Sequence, residues 1–354
     1  MPMRGVWFAS ASLALIALAG CDRSGTGAKT EQSSAENIAV ALDVCANNDG
    51  DPLCQNQALS ELEGAAREAL IAESAAISDA GAALLVQNQN RWRQAARIVC
   101  GLADADAAPN AEQQSCLEDR FRARAAEVRE AVQEVGGYTF QRMELIDAAP
   151  VSAAIAASTG LGDEAPNAVI REIRFPRIDG RQTPAIQRFN ELVAQQPQFR
   201  LEEATNEVVD YRIAFAGPEL ISVRFDIAND TLGAAHGNNT SKAVTVLMNE
   251  GRALAAADVF RDGSGWESFL TQRAVTEIGR QFREDGFTPP ERDVRESVTK
   301  PHLWLITEQG LTLLFPPYSF GGPHVLGGTE VSIPWADLRP YLNPAAPAPI
   351  RPSA

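Results

Sequence analysis

The 354-residue chain has only three histidines, His236, His302 and His324, and all of them lie beyond residue 235. It contains no Gly-x-Ser-x-Gly, HExxH, P-loop or GxGxxG sequence, so the short signatures of serine hydrolases, zinc proteases and nucleotide binders are missing. Carboxylates are plentiful, but they follow no spacing that marks an acid–base pair. Basic side chains are outnumbered, 31 Lys and Arg against 46 Asp and Glu, giving a net charge of −15. That balance argues against nucleic acid and favours cationic partners, whose encounter rate the summed field raises. No internal repeat is visible. The expectation is a protein without catalysis, cofactor or metal of its own.

Cysteine is present in an odd number, five. Met1–Arg4, an apolar run from Val6 to Ala19 and then Gly20-Cys21 read as a signal peptide over residues 1–20, too short for a permanent span. Leu18-Ala19-Gly20-Cys21 resembles the bacterial lipobox, which implies that Cys21 is lipidated and becomes the new N-terminus. The chain is then expected in the cell envelope, exported and lipid-anchored on the periplasmic face of the inner or outer membrane. Loss of Arg4 with the signal leaves 46 acidic and 30 basic side chains, a balance of −16. Cys45, Cys54, Cys100 and Cys116 remain, an even set that allows two disulfides in three pairings. The local pairs Cys45–Cys54 and Cys100–Cys116 are favoured, and a Cys54–Cys100 bridge across two antiparallel helices is also geometrically reasonable. Wide cysteine intervals and distant histidines weigh against metal.

The texture of the chain changes along its length. Residues 21–39 are polar and suit a flexible tether. Residues 40–135 are rich in Ala, Glu, Gln and Arg, with no proline from Leu53 to Ala108, and read as helical. Three amphipathic helices are expected, broken at Gly81 and in a 101–115 loop, the third carrying Leu117, Phe121, Ala125, Val128, Val132 and Val135 on one stripe. A core this small calls for disulfide staples. Residues 136–167 read as a linker. Within 168–342, VVDYRIAF and LISVRFDI alternate around AGPE, HLWLIT and LTLLF flank EQG, and helices are expected at Pro184–Ala194 and Trp266–Arg283. The tail 343–354, rich in Pro and Ala, is expected to be extended and unpacked. The predicted fold class is thus multidomain: a small disulfide-stapled all-α domain, then an α+β domain with an antiparallel sheet.

Four residues stand out as binding candidates. A Cys100–Cys116 bridge would close the acidic loop GLADADAAPNAEQQSC and present Asp104 and Asp106 as exposed anions, at reduced ordering cost. His236 sits in the turn-like LGAAHGNNT, where a ring that caps backbone groups is favoured over a base or metal ligand. Tyr318 lies in PPYSFGG. Trp92, flanked by Arg91, Arg93 and Arg97, falls on the apolar stripe of its helix and is assigned to the core.

The pair Cys45 and Cys54, the run QNQNRWRQAARIVC ending at Cys100 and the run CLEDRFRARAAEV together resemble the lysozyme-inhibitor LprI family over residues about 40–135. FPRIDG with FNELV, ISVRFDI, GAAHGNN, GRALAAADVF, GLTLLFPPYSFGG and VSIPW resemble the extracellular domain of the RsiV anti-sigma factor and related peptidoglycan deacetylase N-terminal regions over 168–342. RsiV-type proteins bind lysozyme directly, so both resemblances imply the same partner, a cationic lysozyme or related muramidase. They imply a lipoprotein that blocks the muramidase cleft. The alternative is a peptidoglycan-associated module that positions or regulates cell-wall enzymes.

Overall fold

The structure, a computed structural model, describes residues 34–47, 50–104, 106–195 and 204–351. The expected signal peptide, the expected lipidation site Cys21 and the expected tether up to residue 33 lie outside the described residues. Residues from Ser34 onward form one compact unit.

Five helices come first: α1 (Ser34–Leu42), α2 (Val44–Asn47), α3 (Gln57–Ser74), α4 (Asp79–Val99) and α5 (Ala111–Glu127). The end of the expected tether is therefore helical, and Ile38 of α1 is buried. Side-chain caps define the helix starts, with Asn56 on α3, Ser78 on α4 and an Asn110–Gln113 capping box on α5. Both disulfides are local, Cys45–Cys54 and Cys100–Cys116, as favoured from the sequence. They point to an extracytoplasmic protein. Among the described residues no helix is long and apolar enough to cross a membrane.

Gly81 does not break a helix. It lies in the first turn of α4, where an added Cβ would stand 2.7 Å from Asp179 Oδ1 and 3.0 Å from Gln141 Oε1. Glycine is needed there because the helix start presses against the sheet. Asp179 accepts the Ser78 N–H at 2.6 Å and the Ser78 hydroxyl at 2.8 Å, which places a carboxylate at the N-terminus of α4.

The remaining elements are β1 (Val132–Val135), β2 (Tyr138–Pro150), α6 (Ala153–Ser158), β3 (Ala168–Ile178), α7 (Pro184–Val193), β4 (Thr205–Ala216), β5 (Leu220–Thr231), β6 (Asn238–Leu247), β7 (Arg252–Ala253), α8 (Ala256–Val259), α9 (Trp266–Gln281), α10 (Glu291–Val298), β8 (Trp304–Ile306), β9 (Gly310–Phe315), β10 (Thr329–Pro334) and α11 (Trp335–Leu338). β1 to β7 form one sheet in sequence order, antiparallel except where β3 and β4 run parallel. The sheet is mixed, not wholly antiparallel. A second, antiparallel sheet has the order β10-β9-β8.

Three further sequence expectations are corrected. Val132 and Val135 leave the third helix and form β1, since α5 ends at Glu127 and a single 3-10 turn follows. The expected linker carries β2, which pairs with β3 from Phe140 to Pro150. The tail is not unpacked: Ala346 and Ile350 are buried, and Arg351 makes a two-pronged contact with Glu219 at 2.7 Å. The β4–β5 hairpin forms as expected, with Val209, Tyr211 and Ile213 facing the same core as Ile221, Val223, Phe225 and Ile227. A bulge between Ile213 and Phe215 then turns Phe215 into the neighbouring core.

The helices and the large sheet share a buried polar joint. Arg124 of α5, 1% exposed, grips Glu144 of β2 through Nη1–Oε1 at 3.0 Å and Nη2–Oε2 at 2.7 Å. Its Nε donates to Gln89 of α4 at 3.0 Å, and its guanidinium lies 5.2 Å from the Trp92 ring centre. Asn88, also on α4, donates to the Arg142 carbonyl and accepts the Glu144 N–H, binding the edge of β2 as a strand would. Burial works to raise the Glu144 carboxyl, but Arg124, Arg142 and Arg174 outweigh it and hold it below the ordinary carboxylate value. Asp179 is depressed likewise, burial being outweighed by the Ser78 N–H and Arg177. Both groups stabilise the fold above the ordinary values of 4.5 and 3.8, and that stability is lost as the pH falls through their lower folded values. Glu144→Gln leaves the buried Arg124 with only the part-exposed Glu127, 3.6 Å away, as a counter-charge, so it is expected to lower stability by about 3 kcal/mol at neutral pH. It should also flatten the loss of stability in acid, and urea unfolding at pH 7 and pH 4 checks both effects.

Candidate functional site

Two connections, far apart in sequence, meet beyond the sheets. One is the β5–β6 turn, which holds His236; the other is the β9–β10 loop, which holds Tyr318 and His324. The rings of His236 and His324 stack with centres 4.1 Å apart and planes 18° from parallel, and Tyr318 lies 5.5 Å from His324. His236 Nδ1 donates to the Gly237 carbonyl oxygen at 3.0 Å, the backbone-capping role expected of it. His324 Nε2 is buried and has no hydrogen-bond partner among the described residues.

The β9–β10 loop is held rigidly from below. Phe320 is fully buried against Phe282, Phe287 and Phe315. Ser297 donates to the Ser319 carbonyl at 2.5 Å, and the Ser319 and Gly321 N–H groups close turns onto Pro316 and Tyr318. Above this anchor Tyr318 is 57% exposed and Val325 is 87% exposed. Tyr318 sits in left-handed backbone at φ +68, a conformation that costs a tyrosine roughly 1–2 kcal/mol. A fixed, strained, exposed aromatic is suited to insertion into a partner, because little order remains to be imposed on binding.

Clefts lie on both sides of this loop. One of about 270 Å³ runs between Arg224, Ser241, Pro317, His324 and Glu330. The other, of about 660 Å³, lies between β6, α10 and Tyr318, and is lined by Lys242, His302 and Lys300. Burial, followed by the charges of Lys300 and Lys242, lowers the His302 imidazole from its ordinary value. A neutral His302 at pH 7 follows. No local pattern announces this cleft, since its cationic residues come from β6 and from the turn after α10, about sixty positions apart.

Asp104 and Asp106 are elsewhere. They are exposed on the α4–α5 loop closed by Cys100–Cys116. Asp104 accepts the Asp106 N–H at 3.0 Å, and its carbonyl accepts from Arg97 at 3.2 Å, so its carboxylate is partly engaged in shaping the loop. Asp106 borders a cleft of about 450 Å³ against Arg93 and Arg97. Those arginines are already matched by buried acids: Asp51 lies 2.9 Å from Arg93 and 3.1 Å from Arg97, and Glu63 lies 2.8 Å from Arg93. Thus His236 and Tyr318 are brought together, whereas Asp104 and Asp106 line no part of their clefts. Trp92 is buried edge-on to Phe121 at 5.1 Å, the core position assigned to it.

A family model described as a protein of unknown function, DUF3298, matches residues 257–336. The C-terminal part therefore carries a DUF3298 domain, of the RsiV-like family. The match runs from α8 to α11 and includes Tyr318, Gly321 and His324 but not His236. Among solved structures, a DUF3298 family member from Bacteroides fragilis is 13% identical, covering 60% of this chain and 96% of its own, with a TM-score of 0.42. Another, from Pseudomonas aeruginosa, is 15% identical, covering 61% and 98%, with a TM-score of 0.43. No curated protein matches the sequence.

The loop geometry separates strain from support. Tyr318→Gly removes the left-handed penalty and should leave thermal stability unchanged or raise it by up to about 1 kcal/mol. Gly321, at φ +77, faces Asp293 Oδ2 and Pro290 Cδ, which would stand 2.6 and 2.8 Å from a Cβ. Gly321→Ala should cost about 2 kcal/mol or more. Chemical denaturation of both variants checks the opposite signs.

Proposed function

We propose that the protein is an envelope-anchored binding protein for lysozyme-like muramidases that inhibits them by occupying their cleft and carries out no chemistry itself. The observation that carries this reading is the fixed loop presenting Tyr318 and Val325 above a buried Phe320, beside the stacked His236 and His324. Tyrosine anchors of this kind dominate binding energy when a partner encloses them. The DUF3298 match supports the reading through the RsiV-type resemblance, whose members bind lysozyme. The LprI-like run in residues about 40–135 implies the same partner, and the lipobox-like Leu18–Cys21 implies the anchor.

Electrostatics add to this. A chain with a net charge of −15 attracts a cationic enzyme from a distance. Near the loop, the side chains of Asp226 and Glu330 keep 48% and 39% exposure although both contact Arg224. The α4–α5 loop with Asp104 and Asp106 forms a second acidic surface, which the LprI-like resemblance would bring into use.

The test is clearing of a cell-wall suspension by a cationic lysozyme, with and without excess oxidised protein. Clearing is expected to slow, and the effect to weaken as salt rises. Tyr318→Ala should weaken the complex by about 2 kcal/mol, roughly thirtyfold in Kd, as calorimetry reads it. Unchanged clearing with no complex would overturn the reading and favour the peptidoglycan-associated module, which pure murein would then retain without lysozyme.

A further inference from the structure

The cleft of about 660 Å³ beside Tyr318 is lined by two lysines, Lys242 and Lys300, and two carboxylates, Asp293 and Glu296. Its size lies within the ~300–1,000 Å³ typical of small-ligand sites. Lys242 lines it from β6, and its ammonium lies 5.7 Å from the Phe225 ring and 3.4 Å from the Gln195 carbonyl. Among the described residues no carboxylate pairs with Lys242. Lys300, by contrast, is matched by Glu296 at 2.9 Å. Asp293 also lines the cleft, and no cation among the described residues pairs with it. The cleft therefore offers one unmatched ammonium and one unmatched carboxylate, with His302 and the Thr240 hydroxyl available for neutral hydrogen bonds. Keeping an ammonium half-buried without a counter-charge is costly, and burial lowers its pKa accordingly.

We propose that this cleft binds a short zwitterionic peptide, with Lys242 receiving the terminal carboxylate and Asp293 the amine. One free ammonium matches a carboxylate monoanion better than a phosphate dianion. No arginine fork lines the cleft for a phosphate. The cleft shares Tyr318 with the muramidase-binding loop, but the two groups proposed to hold the peptide, Lys242 on β6 and Asp293 on α10, lie outside that loop, so the Lys242 variant tests this site apart from muramidase capture. Two sources supply free peptides of this kind: breakdown of cell-wall stem peptides, which releases D-residues, and breakdown of proteins, which releases L-residues.

The probes are D-Ala-D-Ala, L-Ala-L-Ala, D-Ala-D-Ala amide and inorganic phosphate, titrated calorimetrically into the full oxidised chain. A free dipeptide is expected to bind, and the amide to bind at least tenfold more weakly, the usual scale for losing one charged hydrogen bond. Lys242→Gln should lose at least tenfold for the same dipeptide while melting no lower than the parent, because it removes an unmatched charge. Lys242→Met serves if that variant does not fold. Preference for the D-dipeptide assigns peptides released from the wall, and preference for the L-dipeptide assigns peptides released from proteins. Equal binding of acid and amide, phosphate binding as tight as the dipeptide, or no dipeptide binding overturns the proposal.

Discussion

Arg124 brings a full charge to a position 1% exposed to solvent, and two elements converge to satisfy it: β2 through Glu144, and α4 through Gln89 and the face of Trp92. A buried ion pair of this kind is weak evidence for net stability, yet breaking it is costly, because either partner left alone is an uncompensated charge. The helices consequently cannot move away from the sheet without exposing that debt. Asn88 adds a directional constraint by binding the edge of β2 at Arg142 and Glu144, and Asp179 fixes the start of α4 against the end of β3. What the composition divides into a helical part and a sheet part is joined by polar contacts as much as by apolar ones.

That joint also explains which parts of the fold were legible in the sequence. The β4–β5 hairpin alternates cleanly, and α7 and α9 begin and end close to the periodicity that announced them. β2 was not legible because it is covered on both faces: Met143 and Leu145 pack toward one core, Ile146 and Ala148 toward another, and the buried Gln141 and Glu144 interrupt the apolar pattern. Val132 and Val135 fell by coincidence on a helical period that began with Leu117, although valine prefers strands. The tail misled through its prolines, which tolerate burial when the intervening Ala346 and Ile350 supply the apolar contacts. At the candidate site, His236 and Tyr318 were chosen from their turn-like surroundings, and the structure places His324 between them. The Lys242–His302–Lys300 cleft depends on β6 lying beside the turn after α10, a long-range pairing with no local signature.

The functional surface follows from how the second sheet is held. Ile306 N–H donates to Ser222 of β5 at 3.1 Å, tying β8 to the large sheet, and Leu305 and Leu314 pack with Ala214 and Ala243 between the two. The β9–β10 loop thereby reaches the β5–β6 turn, and Phe320 prevents it from collapsing. Exposed Tyr318 and Val325 are thus supported by a rigid base, the arrangement that lets a small contact contribute affinity.

The most direct measurement is amide hydrogen exchange on the full chain with and without a saturating cationic lysozyme. The account predicts added protection concentrated in residues 231–238 and 316–328, with the joint around Arg124 and Glu144 unchanged. Absence of added protection in both loops under saturating lysozyme would contradict it.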